Sequence, residues 1–169
     1  RQMCIRDRLY SIITLMAIAM LFPITAFAQA YVQTWDLVDS GKHLDYDGNS
    51  TYMSYINTGA ATWNAYKSGV IRKDSAFVVE DVYVSDVNAS NGWAGMTYSS
   101  GKIELNTYYM SGYSNSKKQN VATHELGHAL GLDHSTSTDV MDAAITGHTS
   151  TQALSQNDKD SYDAAYNNY

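Results

Sequence analysis

Residues 124–134 read HELGHALGLDH, in which three histidines, one glutamate and one glycine follow the pattern HExxHxxGxxH. On an α-helix, two residues four positions apart lie on the same face and about 6 Å apart along the axis, so His124 and His128 can bind one metal ion. Gly131 can take the left-handed conformation that turns the chain back, which lets His134 supply a third nitrogen. Three neutral histidines leave the fourth position of a tetrahedral zinc ion open to water, so the pattern predicts a catalytic zinc rather than a closed structural one.

Glu125 follows the first predicted ligand, and its side chain can lean toward the open coordination position. We expect Glu125 to be the general base: it takes a proton from the zinc-bound water as the water attacks a carbonyl, and it returns that proton to the leaving amine. The alternative is that the histidines lie on the surface by chance and that Glu125 forms an ordinary ion pair. Five fixed positions match by chance about once in three million windows, so in about 160 windows the zinc interpretation is favoured.

The stretch resembles the zinc-binding segment of the metzincin peptidases, and a second landmark extends the resemblance. Met141 follows His134 at the place where that family has a methionine turn beneath the zinc ligands. Residues 134–143 (HSTSTDVMDA) and 154–166 (LSQNDKDSYDAAY) are similar to the matrixin branch, whereas Ala143 stands where the astacin and serralysin branches carry a tyrosine. The resemblance implies an α+β fold: a twisted mixed five-stranded sheet with a backing helix, an active-site helix and a small C-terminal helical subdomain.

Apolar periodicity predicts the elements ahead of the motif. Between Thr51 and Lys67, apolar and aromatic residues recur three and four positions apart, which is typical of a helix. Ala76 to Val84 is rich in β-branched and aromatic residues and apolar on both faces, so we expect an interior strand covered by helices. Trp93–Tyr98 and Lys102–Thr107 predict a hairpin around a Ser-Ser-Gly turn, and the alternation in its second strand indicates a half-exposed strand near a sheet edge.

Capping signals predict two helices in the second half of the chain. Ser116 and Gln119 have the spacing of a capping box, and a helix should run from there to about Leu130 and end at Gly131. Ser155 to Asp158 form a second such signal, and tyrosines and alanines at helical spacing follow it. We therefore expect the last segment to be a packed helix.

The first 28 residues have the three-part pattern of a secretory signal peptide. Arginines at positions 1, 6 and 8 precede an apolar run from Leu9 to Phe22, which is too short for a membrane span. Pro23 breaks the run, and Ala26–Ala28 has the small residues of a cleavage site. We expect residues 1–28 to be removed, residues 29–169 to form a single metzincin-like catalytic domain, and the protein to be secreted. An uncleaved anchor or a buried helix is the alternative.

The composition argues against several other classes of protein. The 169 residues carry a net charge of −6, which disfavours binding to nucleic acid through phosphate neutralisation. Without residues 1–28, the 11 basic and 17 acidic residues fall to 8 and 16. The single cysteine, Cys4, lies in the predicted signal peptide, so the mature domain has no disulfide and no thiol of its own to block its zinc. We expect a monomer that binds no nucleic acid and, after cleavage, no membrane.

Other metal sites find less support in the sequence. Matrixins usually hold a second, structural zinc with histidines upstream of the active helix, but only His43 lies there, so we predict one catalytic zinc. Calcium often supports loops in this family, and two groups of oxygen-bearing side chains are available. Neither group fits the spacing of an EF-hand loop, so roles in turns and at the surface are favoured. They are Asp45, Asp47 and Asn49, and Asp81, Asp86 and Asn88.

The resemblance and the motif together predict a secreted zinc metalloendopeptidase. Its substrate would be a protein or peptide bound in extended form beside the edge of the sheet, with Trp93–Tyr98 as the expected edge strand. His148 could line the pocket beyond the methionine turn, although a solvated loop histidine is the preferred interpretation. Two alternatives stay open: a zinc hydrolase of cell-wall peptides or other amides, and a catalytically silent module that holds zinc. Glu125 argues against the second, because a binding module needs no base beside its first ligand.

Overall fold

The computed structural model describes residues 29–75 and 79–169, and within them five strands form one mixed sheet. The order across the sheet is β2-β1-β3-β5-β4, and all neighbours are parallel except β4 and β5, which form an antiparallel hairpin. The α+β fold class and the mixed five-stranded sheet predicted from the sequence are thereby confirmed. The strands are β1 (Leu44–Gly48), β2 (Ile71–Lys73), β3 (Val82–Val87), β4 (Gly95–Tyr98) and β5 (Lys102–Asn106).

Two helices cover one face of this sheet and close the hydrophobic core. α1 (Met53–Asn64) packs against α3 (Asn115–Ala129), while the short α2 (Thr107–Met110) connects β5 to the segment before α3. Alternate strand residues point to the covered face, because successive side chains of a strand point in opposite directions. The fully buried side chains of the sheet and these helices include Leu44, Val82, Val84, Ile103, Leu105, Ile56, Trp63 and Leu126.

The opposite face of the sheet carries exposed side chains. Tyr83, Lys102 and Tyr98 lie side by side across β3, β5 and β4, and Tyr83 is 39% exposed. The predicted interior strand at Ala76–Val84 is confirmed in its position, since β3 lies between β1 and β5. Its predicted bounds and its two covered faces are wrong for the part described, because the strand begins only at Val82 and Tyr83 is exposed. Positions 76–78 of that segment lie outside the described residues.

The predicted hairpin is confirmed, with strands that are shorter than expected. β4 forms the edge of the sheet, whereas β5 lies between β3 and β4 and is not itself an edge strand. Trp93 belongs to the preceding loop rather than to β4. The helix predicted for Thr51–Lys67 is also shorter, because Thr51 lies in a turn and the regular helix stops at Asn64.

The N-terminus of α3 differs from the predicted capping box. The capping residue is Ser114 rather than Ser116, and its hydroxyl accepts a hydrogen bond from the backbone N–H of Lys117. Gln119 is buried, and its amide nitrogen donates to the backbone oxygen of Tyr55 in α1 and to the hydroxyl of Thr123. The side chain of Gln119 therefore makes a contact between two helices instead of closing a capping box.

Local signals at the other helix ends are confirmed. Gly131 has a φ of +83° immediately after α3 and its cap, and Ser155 and Asp158 form a reciprocal capping box at the start of α4 (Gln156–Tyr166). One turn of 3-10 helix, Ile145–Gly147, lies between them. The described helices include none with the length and apolar character that a membrane span requires. The predicted signal peptide, residues 1–28, lies outside the described residues.

Candidate functional site

The three predicted metal ligands meet at the C-terminal end of α3. His124 and His128 lie on the helix, and the turn at Gly131 brings His134 back toward them. One nitrogen from each ring lies within 4.8 Å of the other two, and Nε2 of His128 is 3.2 Å from Nε2 of His134. The spacing of the motif thus produces the convergence that the sequence predicts.

Backbone carbonyls orient two of the rings. Nδ1 of His124 is 2.8 Å from the backbone oxygen of Val140, and Nδ1 of His128 is 2.8 Å from that of Leu132. An Nδ1–H that donates to a carbonyl leaves the lone pair on Nε2 free for a metal. Burial and the neighbouring His128 lower the pKa of His124 to about 3, so this imidazole is neutral at ordinary pH.

The donor set fits a single zinc ion. A tetrahedral zinc with bonds of about 2.1 Å holds its ligand nitrogens roughly 3.4 Å apart, close to the 3.2 Å between His128 and His134. At this distance the two nitrogens can share a proton in a hydrogen bond or bind one cation between them. Three histidine ligands leave one position open, as in catalytic rather than structural sites.

Glu125 lies beside this cluster, and its carboxylate is almost completely buried, with 5% of the residue exposed. Burial raises its pKa to about 7, although a hydrogen bond from Thr97 opposes the rise. The hydroxyl of Thr97 is 2.7 Å from Oε2 of Glu125. A carboxyl group with a pKa near neutrality can both accept and release a proton, which general acid-base catalysis requires.

The histidines and Glu125 line a cleft of about 380 Å³. Its upper side is formed by the loop before β4 and by β4 itself, and its lower side by α3 and by the 3-10 turn at Ile145–Gly147. The upper residues are Gly92, Trp93, Ala94, Gly95, Met96 and Thr97, and the lower wall includes Val121, Ala143, Ile145 and Thr146. The edge strand β4 and the three converging histidines therefore border the same cleft.

Met141 lies under the metal-binding part of α3 and is fully buried. A Cβ on Gly127 would overlap Sδ of Met141 and lie 2.9 Å from Cζ2 of Trp63, so only glycine leaves room for this methionine. Asp158 at the start of α4 holds the turn from the other side. Its carboxylate accepts hydrogen bonds from the backbone N–H groups of Val140 and Met141 at 2.9 and 3.1 Å.

Two supporting residues of the metal site were missed by the sequence analysis. Asp158 was recognised only as part of a capping box, and the chain gives no local sign of its bonds to the methionine turn. Gln33 lies on a segment whose backbone N–H donates to the oxygen of Gly131, and its amide nitrogen is 2.9 Å from Nδ1 of His128. Because that Nδ1–H is a donor, rotating the amide by 180° brings its oxygen, which otherwise has no hydrogen-bond partner, to His128.

The remaining candidate residues have structural partners. Nε2–H of His148 donates to the carboxylate of Asp142 at 2.8 Å, and His148 is not among the described residues that line the cleft. Asp39, Asp45 and Asp81 lie together at the far side of the sheet, but Arg72 binds both carboxylate oxygens of Asp45. In the second group of oxygen-bearing side chains, for which turn and surface roles were favoured over calcium, Asp86 accepts hydrogen bonds from Ser50 and Thr51. His43 lies near the carboxylate of Asp39.

Comparisons with known proteins agree with this geometry. A family model described as matrixin matches residues 25–167. Among solved structures, archaemetzincin from Methanopyrus kandleri is similar in fold, with a TM-score of 0.54 and 12% sequence identity. The similarity covers 77% of this chain and 99% of archaemetzincin. No curated protein matches the sequence.

Proposed function

The chain belongs to the matrixin family and is a zinc metallopeptidase, and from this premise we propose that it is a secreted endopeptidase in which Glu125 is the general base. One observation carries the assignment of the base. The buried carboxylate of Glu125 lines the same cleft as the converging nitrogens of His124, His128 and His134. In the cleft it is the one described carboxylate with both a position beside the metal ligands and a pKa raised to about 7.

The zinc ion and Glu125 have different roles in the reaction. When bound, zinc polarises the scissile carbonyl and makes a water molecule more acidic. Glu125 accepts the proton of the attacking water at its carboxylate and then delivers it to the nitrogen of the leaving amine. In the metal-free protein, burial raises the pKa of this carboxylate, which makes it a stronger proton acceptor than an exposed glutamate.

The edge strand β4 supports an extended substrate. Among the described strands, β4 pairs only with β5, so the backbone groups on its other side are available to a further strand. A peptide that adds to this edge would lie along the cleft beside Glu125. Pairing on both sides of the scissile bond favours cleavage within a chain rather than at its ends.

The sequence of residues 1–28 supports secretion, because it has the arginine-rich start, apolar run and small-residue ending of a signal peptide. Residues 29–169 contain no cysteine, so once residues 1–28 are removed, these residues offer no thiol to the zinc. We expect the protein in the culture medium to begin after Ala28.

The decisive experiment compares the zinc-loaded protein with its Glu125→Gln variant on a random peptide library and on cell-wall fragments. Glu125→Gln keeps the size of the side chain but removes the base, so cleavage should fall about a thousandfold while zinc content is unchanged. Glu104→Gln is the control, because Glu104 lies on β5 and its carboxylate pairs with Lys102 outside the cleft. Its activity should match that of the unaltered protein.

Three outcomes would contradict the proposal in different ways. Equal cleavage by Glu125→Gln would remove the base assignment. Cleavage only of terminal residues would exclude an endopeptidase. An unaltered protein that retains zinc but acts on cell-wall fragments alone, or on no substrate, would favour a different amide hydrolase or a zinc-holding binding module.

A further inference from the structure

Thr97 connects the edge strand directly to the proposed base. Its hydroxyl lies 2.7 Å from Oε2 of Glu125 and 2.9 Å from the backbone oxygen of the same residue. Thr97 belongs to β4, and Glu125 belongs to α3, on the lower side of the cleft. One side chain therefore links the two walls of the cleft at the reacting group.

Gly95 completes the contact from the same strand. A Cβ at this position would lie 2.5 Å from Oε1 and 2.7 Å from Cγ of Glu125, closer than nonbonded atoms can approach. Gly95 and Thr97 pair with Leu105 and Ile103, which point into the core, so both face α3. The strand thus offers Glu125 a bare backbone at one position and a hydroxyl two residues later.

We propose that Thr97 is a positioning residue for peptide hydrolysis, holding the carboxylate of Glu125 in register with the strand that binds the substrate. This inference rests on the proposed function. A substrate that pairs with β4 is fixed relative to β4, and the hydrogen bond fixes the base relative to the same strand. Their mutual distance then depends on one short contact rather than on the packing of a sheet against a helix.

A hydroxyl suits this position better than a purely accepting or donating group. It can donate to a carboxylate and accept from a carboxylic acid, so it can stay in contact before and after Glu125 takes a proton. A glutamate without this contact can sample other rotamers, and a misplacement of about 1 Å can lower a rate on the order of a hundredfold. The effect of Thr97 should therefore appear in the chemical step.

The test compares Thr97→Val, Thr97→Ser and the unaltered protein, each zinc-loaded and assayed on the same peptide. Valine keeps the branched shape without the hydroxyl, so kcat should fall about ten- to a hundredfold while KM stays within about twofold. Serine keeps the hydroxyl and should restore kcat to within about threefold. Thr58→Val is the control, since Thr58 is exposed on α1 and its hydroxyl contacts only Ser54 of the same helix.

Two measurements separate positioning from a structural role. Zinc content should be equal in all four proteins, and crystal structures of the metal-free proteins should show Glu125 displaced in Thr97→Val but not in Thr97→Ser. An unchanged kcat in Thr97→Val would overturn the inference, as would a loss of zinc or a failure of serine to restore activity. If the unaltered protein cleaves no peptide, the proposed function fails, whereas the crystal structures still show whether Thr97 holds the carboxylate.

Discussion

The two halves of the domain are held together by different chemistry. The sheet half, residues 44–106, buries mainly aliphatic side chains such as Leu44, Val82 and Ile103. The sheet half buries one carboxyl group, that of Asp45, which Arg72 binds through both oxygens. The metal half, residues 115–166, buries several carboxyl groups and a histidine, and some of these are hydrogen-bonded to the backbone of irregular segments. The stability that buried aliphatic side chains contribute does not depend on pH and tolerates small changes of shape. Protonation or substitution of a buried carboxylate, in contrast, breaks several hydrogen bonds at once. The scaffold is therefore robust, while the geometry of the site depends on a few polar groups.

Asp158 provides the largest expected contrast. Its carboxylate accepts hydrogen bonds from the backbone N–H groups of Val140, Met141 and Ser155, and the residue is 0% exposed. Asp158→Ala leaves two buried donors and one partly buried donor without a partner and should lower the free energy of unfolding by about 4 kcal/mol, measured by chemical denaturation.

Asp160 offers a matched control in the same helix. Its carboxylate accepts a hydrogen bond only from the exposed side chain of Gln156. Asp160→Ala should therefore change stability by less than about 0.5 kcal/mol. Equal losses of stability in Asp158→Ala and Asp160→Ala would show that α4 is held by general packing. The metal half would then not depend on a few polar groups more than the sheet half does.

The carboxylate of Asp139 should make the stability of the metal half depend on pH in the acid range. Burial alone would raise its pKa, but hydrogen bonds outweigh burial and lower the pKa to about 2. The donors are the backbone N–H and hydroxyl of Thr136 and the side-chain amide of Asn157, all to Oδ2. Because the folded value lies below that of an unfolded aspartate, its contribution is complete above about pH 4 and is lost as the pH falls toward 2. At neutral pH this contribution is on the order of 2 kcal/mol.

The measurement is the unfolding free energy of the metal-free protein and of Asp139→Asn between pH 7 and pH 2. The buried histidines also respond to acid, but they are present in both proteins and cancel in the difference. That difference should be largest above pH 4 and shrink toward zero near pH 2. A difference that does not vary with pH would mean that Asp139 acts through its shape rather than its charge.

Ile103→Val tests the sheet half, and its effect should be the smallest among the changes at the three buried positions, Asp158, Asp139 and Ile103. Ile103 is fully buried in β5, and deleting one methylene group costs about 1 kcal/mol. The loss of stability should be the same at pH 4 and at pH 7, because shortening this side chain changes no contact with a titrating group. A clear pH dependence in calorimetric or denaturant unfolding would show that the halves are coupled more tightly than their chemistry indicates.

The same division explains which features could be predicted from the sequence. The hairpin follows from alternation, the end of α3 from Gly131, and the start of α4 from Ser155, since each of these signals acts between close neighbours in the chain. The convergence of His124, His128 and His134 also follows from one short motif. Local signals fail when two candidates compete, as at Ser114 and Ser116.

The supporting contacts of the site could not be predicted in this way. Thr97 and Glu125 are 28 positions apart, and Gln33 and His128 are 95 apart. A threonine in an edge strand and a glutamine in an irregular segment are ordinary residues until the fold brings a partner to them. Such contacts depend on the packing of whole elements, which no spacing in the sequence encodes.

The bonds from Asp158 to the methionine turn also set an order of events during synthesis. The sheet half leaves the ribosome first and can begin to fold while the histidines are still being added. Residues 140 and 141, whose segment orients His124, are fixed only when α4 has emerged. A chain that ends before residue 158 should therefore lack an ordered segment beneath His124, however well its sheet has formed.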